Sequence, residues 1–366
     1  MKEIAIGETR LSESEIDAAV AVLRSGALRQ GKICAAFEQE FAARVGAKHS
    51  VSSSSGSAAL HLAYLCFLKP GEEVLVPSFT FFATGSMVTA AGGRPVFCDV
   101  DAHTFVIDLD DARARLSKRT RAIGPVHLFG NPCDIERISA FAAEHGLRIV
   151  WDAAQAHGAA FKGRDIGSFG DFVCYSFYPS KNLFVGEGGM TCTDNADFAE
   201  RMSYMRMHGQ TGKYYHTMMG LNYRMTDVEA AIGLEQLKRL EQMLAARRRN
   251  AERLNRLLAK VEWLQLPRCT GNGTHAWHQY CVVVDPDRIG LDRDAVMDAL
   301  KQAGIGTAVH YPRGMHQQPI FEEMYGRTHL PVTEGLARNI LALPVHHGLT
   351  DADVDRIAQV ISGWRV

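Results

Sequence analysis

A single lysine, Lys181, stands between a strand-like apolar run and a glycine-rich turn in YSFYPSKNLFVGEGGM, the segment from Tyr175 to Met190. An amine with an unperturbed pKa of ~10.4 is mostly protonated at neutral pH, so a lysine that condenses with an aldehyde must be desolvated or sit beside another cation. The apolar neighbours of Lys181 supply the first condition. Upstream, IVWDAAQAHGA places Asp152 at the end of an apolar run from Ile149, where a carboxylate would favour the protonated form of a ring nitrogen. Further upstream, SSSSGSAALHLA reads as a glycine turn opening a helix at Ser57. Gly56, Ser57 and Ala58 sit where unpaired N–H groups and the positive end of a helix dipole would meet a phosphate. Aldehyde anchor, acid and phosphate cradle are what pyridoxal phosphate requires of a protein. Taken singly, each also fits a blander role: a surface lysine, an N-cap aspartate, a Ser/Gly loop. Together, each at the end of a predicted strand where open α/β sheets place their ligands, they point to a cofactor site.

Positioning such groups takes buried strands. A first helix is predicted from Ser12, where Ser-x-x-Glu to Glu15 forms a capping box and Gly26 is the stop, and a second amphipathic run carries Phe37, Phe41 and Val45. Short apolar runs then alternate with helical segments: EVLVPS, RPVFCDV, TRAIGPVHLF, LRIVWDA, DFVCYSF and GGMTCT. Continuous runs of this kind suit a sheet buried on both faces by helices. From Thr226 to about Ala259 the pattern becomes one long helix, with Val228, Ile232, Leu237, Leu240, Leu244, Leu254 and Leu258 at near-helical spacing. The arginines of its AARRRNAERLNR stretch read as a solvated face. This helix is the expected bridge to a smaller α+β unit made of WHQYCVVV, a helix near DRDAVMDALKQAG, a strand IGTAVHYP and a final helix from Thr350. The expected division is a large cofactor-binding domain over 1–240 and a small C-terminal domain over 241–366.

Longer segments carry a family likeness: SGSAALHLA, VPSFTFFAT, WDAAQAHGA, SFYPSKNLFVGEGGM, GLNYRMTDVEAAIGLEQL and VHYPRGMHQQPIF. From VLRSGALRQGK at Val22 to ILALPVHHGLTDADV ending at Val354, the chain resembles the DegT/DnrJ/EryC1/StrS family of pyridoxal-phosphate-dependent sugar aminotransferases. The resemblance implies the aspartate aminotransferase (type I) fold: an α/β protein whose large domain holds a mostly parallel seven-stranded sheet between helices, followed by a small α+β domain. It makes Lys181 the Schiff-base lysine and proton shuttle, sets Asp152 against the pyridine nitrogen, and sets Gln155 on the ring hydroxyl. The backbone of Ser57 and Ala58 in the Gly56 turn, the hydroxyl of Ser176 and the side chain of Asn222 would hold the phosphate, and Phe81 would stack on the ring where many relatives have Trp or Tyr. In this family the NYRM asparagine comes from the neighbouring subunit, so a homodimer with shared sites is implied. By the same analogy Arg224 meets the donor carboxylate across the dimer, and His310 and Tyr311 line the substrate pocket. The structural alternatives are an Arg224–Asp227 ion pair, a hydrogen-bonded histidine at a domain boundary and a packed tyrosine. Two departures stand out: Gly56-Ser57 replaces the commoner Gly-Thr but keeps the hydroxyl, and Arg313 adds a cation read here as solvated.

The implied reaction moves an amino group from L-glutamate to a keto-deoxy sugar carried on a nucleoside diphosphate, in two half-reactions at one site. Alternatives are an L-glutamine-dependent aminocyclitol aminotransferase, a sugar dehydratase of the same fold and a non-catalytic regulator. Lys181 argues against the dehydratase, in which a histidine takes that position, and no helix-turn-helix pattern supports the regulator. A net charge of -1 argues against nucleic acid or acidic membrane partners. The absence of a run of ~18 apolar residues, and of an apolar signal core in MKEIAIGETRLSESE, leads to an expected cytoplasmic location. The eight cysteines are scattered without CxxC spacing and read as reduced packing residues. The histidines, including adjacent His346 and His347, lack ligand spacing, so no metal is expected.

Overall fold

Seven strands make the sheet that carries the cavity described below: β1 (His49–Ser53), β2 (Glu73–Pro77), β3 (Arg94–Cys98), β4 (Thr120–Ile123), β5 (Arg148–Asp152), β6 (Phe172–Ser176) and β7 (Gly189–Thr193). The structure is a computed structural model that describes residues 3–364; Met1, Lys2, Arg365 and Val366, the outer ends of the two expected domains, lie outside the described residues. The strand order is β1-β7-β6-β5-β4-β2-β3. Parallel pairs join β3, β2, β4, β5 and β6, whereas β7 runs antiparallel to both β6 and β1. All six apolar runs picked out above are strands of this sheet. β1 is the strand its serines concealed. Ser52 donates from N and Oγ to Glu38 Oε1 at 2.9 and 2.7 Å, and buried Arg206 pairs with Glu38 and donates to the Ser52 carbonyl at 2.7 Å. A polar strand can lie inside when every group has a partner.

Helix α1 (Glu13–Ser25) has the predicted capping box and ends at left-handed Gly26, and α2 (Lys32–Val45) ends likewise at Gly46. Two short helices follow at the cavity, α3 (Gly56–Leu65) and α4 (Ala83–Ala90), before the long α5 (Asp227–Leu258). α5 packs against α1 and α2 near its start, and Gly233 lets the Phe37 ring press on its backbone, since a Cβ there would sit 2.6 Å from Phe37. Asp227 does not pair with Arg224. Its buried carboxylate caps α2 from a distance, accepting from Gly31 N at 2.7 Å, Cys34 N at 3.0 Å and Ile33 N at 3.3 Å. The domain boundary expected at 240 falls inside this continuous helix.

Arg247 corrects the reading of the arginine stretch as solvated. Its helical phase places it with buried Met243, Leu244, Asn250 and Ala251, whereas Arg249 faces solvent. The C-terminal part adds β8 (Leu264–Gln265), β9 (Tyr280–Val284) and β10 (Ile340–Leu343) in one antiparallel sheet, with α6 (Arg293–Gln302), α7 (Pro331–Asn339) and α8 (Asp351–Ser362). Its core, with Trp263, Tyr280, Val296 and Ile357, is separate from the cores on the two faces of the large sheet. The strand predicted over IGTAVHYP is not formed: only Ile305 and Ala308 make single bridges. The segment turns instead toward the large sheet, where Met315 N donates to the Ser78 carbonyl at 2.8 Å. Asp99, just beyond β3, caps α7 through Thr333 N at 2.7 Å and Val332 N at 3.0 Å.

Removing the remote cap tests this packing. Asp227→Ala leaves three backbone donors at the α2 start without their acceptor, and is expected to lower stability by about 2–3 kcal/mol in urea denaturation. A loss below about 0.5 kcal/mol would show that α2 does not depend on this carboxylate.

Candidate active site

The ends of β1, β2, β4, β5 and β6 converge on a cavity of about 490 Å³ into which Lys181 projects. Lys181 sits on a tight lobe after β6. Phe177 N donates to the Gly188 carbonyl at 2.8 Å, Val185 N to the Phe177 carbonyl at 2.9 Å, and Lys181 N to the Tyr178 carbonyl at 2.8 Å. Two distant groups pin the lobe: Gln236 of α5 accepts from Phe184 N at 3.0 Å, and Asn182 Nδ2 donates to the Ala276 carbonyl at 2.9 Å. Beneath it the rings of Phe37, Phe41, Tyr175 and Phe177 pack edge-on or tilted, with centroids 5.0–6.0 Å apart. The cavity leaves the lysine half-buried, yet the surrounding protein lowers its ammonium from 10.5 to about 8, burial outweighing the attraction of Asp152.

Asp152 ends β5 and is buried, its Oδ2 accepting from the Thr84 hydroxyl of α4 at 2.7 Å and its Oδ1 from Ala154 N at 3.1 Å. Burial pushes this carboxyl above its ordinary value, while Thr84, the Ala154 N–H and the charge of Lys181 pull the other way. A second cation in the cavity would complete its charge balance. At the start of α3, Ser55 Oγ accepts from Ala58 N at 3.1 Å, so the Ala58 N–H is already used. Among the described residues no protein acceptor takes the N–H groups of Gly56 and Ser57, which therefore remain for an anion. Both Gly56 and Gly189 are required by close approach. A Cβ on Gly56 would lie 2.6 Å from Ser176 Cβ, and one on Gly189 would lie 2.2 Å from the Ser55 carbonyl oxygen.

Phe81 lies at the cavity mouth with 58% of its surface exposed, its ring 6.2 Å from that of Tyr311. Gln155 accepts from Phe129 N at 2.7 Å and donates one N–H to Tyr311 Oη at 2.8 Å, leaving its second N–H. His310 and Tyr311 line the cavity, and so does His278, which the sequence did not single out. Burial, and then the charge of Lys181, hold the imidazoles of His157 and His310 below their ordinary value, His157 at about 3. Cys174 and Cys192 are buried strand thiols that burial pushes up, which leaves them unreactive. Asn222 and Arg224 are not brought together with these residues. They lie outside the cavity of their own chain, Asn222 exposed and bridged through its backbone to Met207, and Arg313 is likewise exposed.

The profile of the DegT/DnrJ/EryC1/StrS aminotransferase family matches residues 9–362. The chain belongs to this family. The aminotransferase is 40% identical over 328 residues to the UDP-N-acetyl-3-dehydro-α-D-glucosamine 3-aminotransferase of Acidithiobacillus ferrooxidans, covering 89% of this chain and 87% of that protein. It is 36% identical to the spore coat polysaccharide biosynthesis protein SpsC of Bacillus subtilis, over 96% of this chain and 94% of that one. The crystal structure of S. venezuelae DesV in complex with a ketimine intermediate superposes with a TM-score of 0.92 at 34% identity, covering 96% and 95% of the two chains. Pyridoxal phosphate is the cofactor of such aminotransferases, and the cavity fits it: a lysine with a lowered pKa, a buried acid in need of a cation, and two open N–H groups in a cradle that a Cβ would fill.

An aldehyde condenses with a neutral amine and not with an ammonium. The rate at which cofactor-free protein takes up pyridoxal phosphate is therefore expected to rise with pH and level off above about 8, followed by stopped-flow absorbance. A rate still climbing steeply near pH ~10 would mean that the amine keeps its ordinary value.

Proposed function

We propose that this aminotransferase moves an amino group from L-glutamate to a keto-deoxy sugar carried on a nucleoside diphosphate, in two half-reactions at the Lys181 cavity. The observation that carries the reading is a lysine lowered to about 8 that shares one cavity with a buried carboxylate and an open N–H cradle. The sugar half of it is supported by the UDP-linked keto sugar named for the Acidithiobacillus relative and by the polysaccharide role named for the Bacillus one.

When bound, pyridoxal phosphate supplies an aldehyde that condenses with amines and a ring that draws electrons from the adjoining bond. In this reading the Gly56 and Ser57 N–H groups and the Ser176 hydroxyl hold the phosphate, and Phe81 covers the ring. The free N–H of Gln155 reaches the ring hydroxyl, and Asp152 keeps the ring nitrogen protonated. Within each half-reaction Lys181 Nζ takes up a proton at one carbon and gives it up at another, starting from the donor α-carbon in the first and ending on the acceptor carbon in the second; a value of about 8 suits it to both, because acid and base forms coexist near working pH. His310 and Tyr311 face the substrate.

Asn222 and Arg224 fit as contributions to a second copy's cavity, on the phosphate and the donor carboxylate. Supporting this, neither side chain bonds within its own chain among the described residues, and the preceding segment, 214–219, exposes Tyr214, Tyr215 and Met219, the last by 92%. Apolar patches of this kind mark surfaces that are covered in an assembly. A two-domain reading, joined within α5, is supported by the separate C-terminal core, and a cytoplasmic setting by eight cysteines without a disulfide.

Subunit mixing tests the shared site. Lys181→Ala and Asn222→Ala homodimers are each expected to lose most transfer activity while staying folded. Mixing them should recover part of it, because one of the two cavities of each hybrid then combines an intact Lys181 with an intact Asn222. Full activity of Lys181→Ala would defeat the whole proposal, and no recovery on mixing would defeat the sharing.

A further inference from the structure

We propose that His278 is a hydrogen-bond donor to an oxygen of the acceptor's sugar ring and that Arg247, on α5, is the positioning residue that aims it; this rests on the reading of the cavity as the site of transfer. His278 lines the cavity beside Lys181 and His310 although only 6% of its surface is exposed. Its Nδ1 is sealed without a hydrogen-bond partner, so Nε2 is the nitrogen left to a molecule in the cavity. A buried orphan N–H is rarer than a buried orphan acceptor. On that ground we assign the proton to Nε2, so that the ring offers the cavity an N–H. Burial, with Lys181 and Arg247 nearby, holds this imidazole well below its ordinary value. A permanently neutral donor suits a hydroxyl or keto oxygen; a carboxylate would call for a cation.

The segment around His278 is held from several sides. Ala276 N donates to the Gly130 carbonyl at 2.8 Å, and Trp277, at a φ of 49°, stacks on His275 with centroids 4.0 Å apart. Asn182, next to Lys181, holds the Ala276 carbonyl at 2.9 Å, so the lysine lobe and the His278 segment are fastened to each other. Arg247 Nη1 completes the clamp by donating to the Trp277 and His278 carbonyls at 3.1 and 3.2 Å. No carboxylate pairs with Arg247 among the described residues, and its Nε is buried without a partner. A buried cation held only by carbonyls costs stability. A local rule broken inside a well-packed core is expected where function requires it, and the backbone of His278 is what this cation holds.

Separating the two half-reactions tests the proposal. The acceptor is whichever member of a panel of UDP- and dTDP-linked keto-hexoses the wild-type protein aminates best. His278→Phe is expected to bind pyridoxal phosphate and react with L-glutamate within about twofold of wild type, while KM for the acceptor rises about tenfold or more. His278→Gln, which keeps an N–H near the place of Nε2, should recover most of that loss. Arg247→Met should reproduce the acceptor defect with His278 intact; if it does not fold, the two His278 variants decide alone. An unchanged acceptor KM in His278→Phe, or an equal slowing of the L-glutamate step, would overturn the proposal. A wild-type protein inert to every amino donor would instead overturn the transfer reading beneath it.

Discussion

The structure is organised around holding one lysine amine partly out of water near the buried carboxylate of Asp152. An ammonium loses hydration when buried, and Asp152 only partly makes up for it, so Lys181 rests at about 8. The same burial pushes Asp152 up, and each group leaves the other under-compensated. That standing imbalance is what a cationic ring nitrogen and a condensing aldehyde would relieve. It survives because the lobe carrying the lysine is over-determined: its ends are hydrogen-bonded to each other, and its middle is tied to α5 and to Ala276. Gly56 and Gly189 let α3 approach closely enough to bring its open N–H groups to the same cavity.

Long-range fastenings keep these parts in register. Asp227 at the start of α5 caps α2, and Asp99 beyond β3 caps α7, so two helix N-termini depend on residues distant in sequence. Each bond is worth a few kcal/mol at most, about 1.5–3 for a charged acceptor, but each fixes an angle as well as an energy. α5 extends that order across the molecule, from the segment bearing Asn222 and Arg224, past Gln236 under the lysine lobe, to Arg247 behind His278 and on to the C-terminal core.

Much of this was legible in the sequence. Six strands announced themselves as continuous apolar runs, and Asp152 and Lys181 stand at or just beyond the ends of two of them, which made them legible; the Gly56 turn was readable from its own glycine and helix start, and Ser176 only through the family likeness. β1 escaped because its serines look like a turn; the partners that let them lie inside, Glu38 and Arg206, are far apart in the chain. IGTAVHYP looked like a strand, but its tail is drawn to Ser78 by bonds no local pattern shows. Arg247 was misjudged by its charge although its phase was readable, three and four residues from Leu244 and Met243 on the buried face. His278 carried no signal of its own, since its place in the cavity comes from the segment before β9, which is tied at Ala276 to a lobe nearly a hundred residues earlier.

The most direct measurement is the visible absorption of the purified protein with bound pyridoxal phosphate, before and after L-glutamate and, in a separate sample, L-glutamine. The account predicts that L-glutamate removes the visible band, that L-glutamine does not, and that a nucleotide-linked keto sugar then restores it. A band that persists with L-glutamate, or that never forms, would contradict the role given to Lys181 and the donor assigned to it.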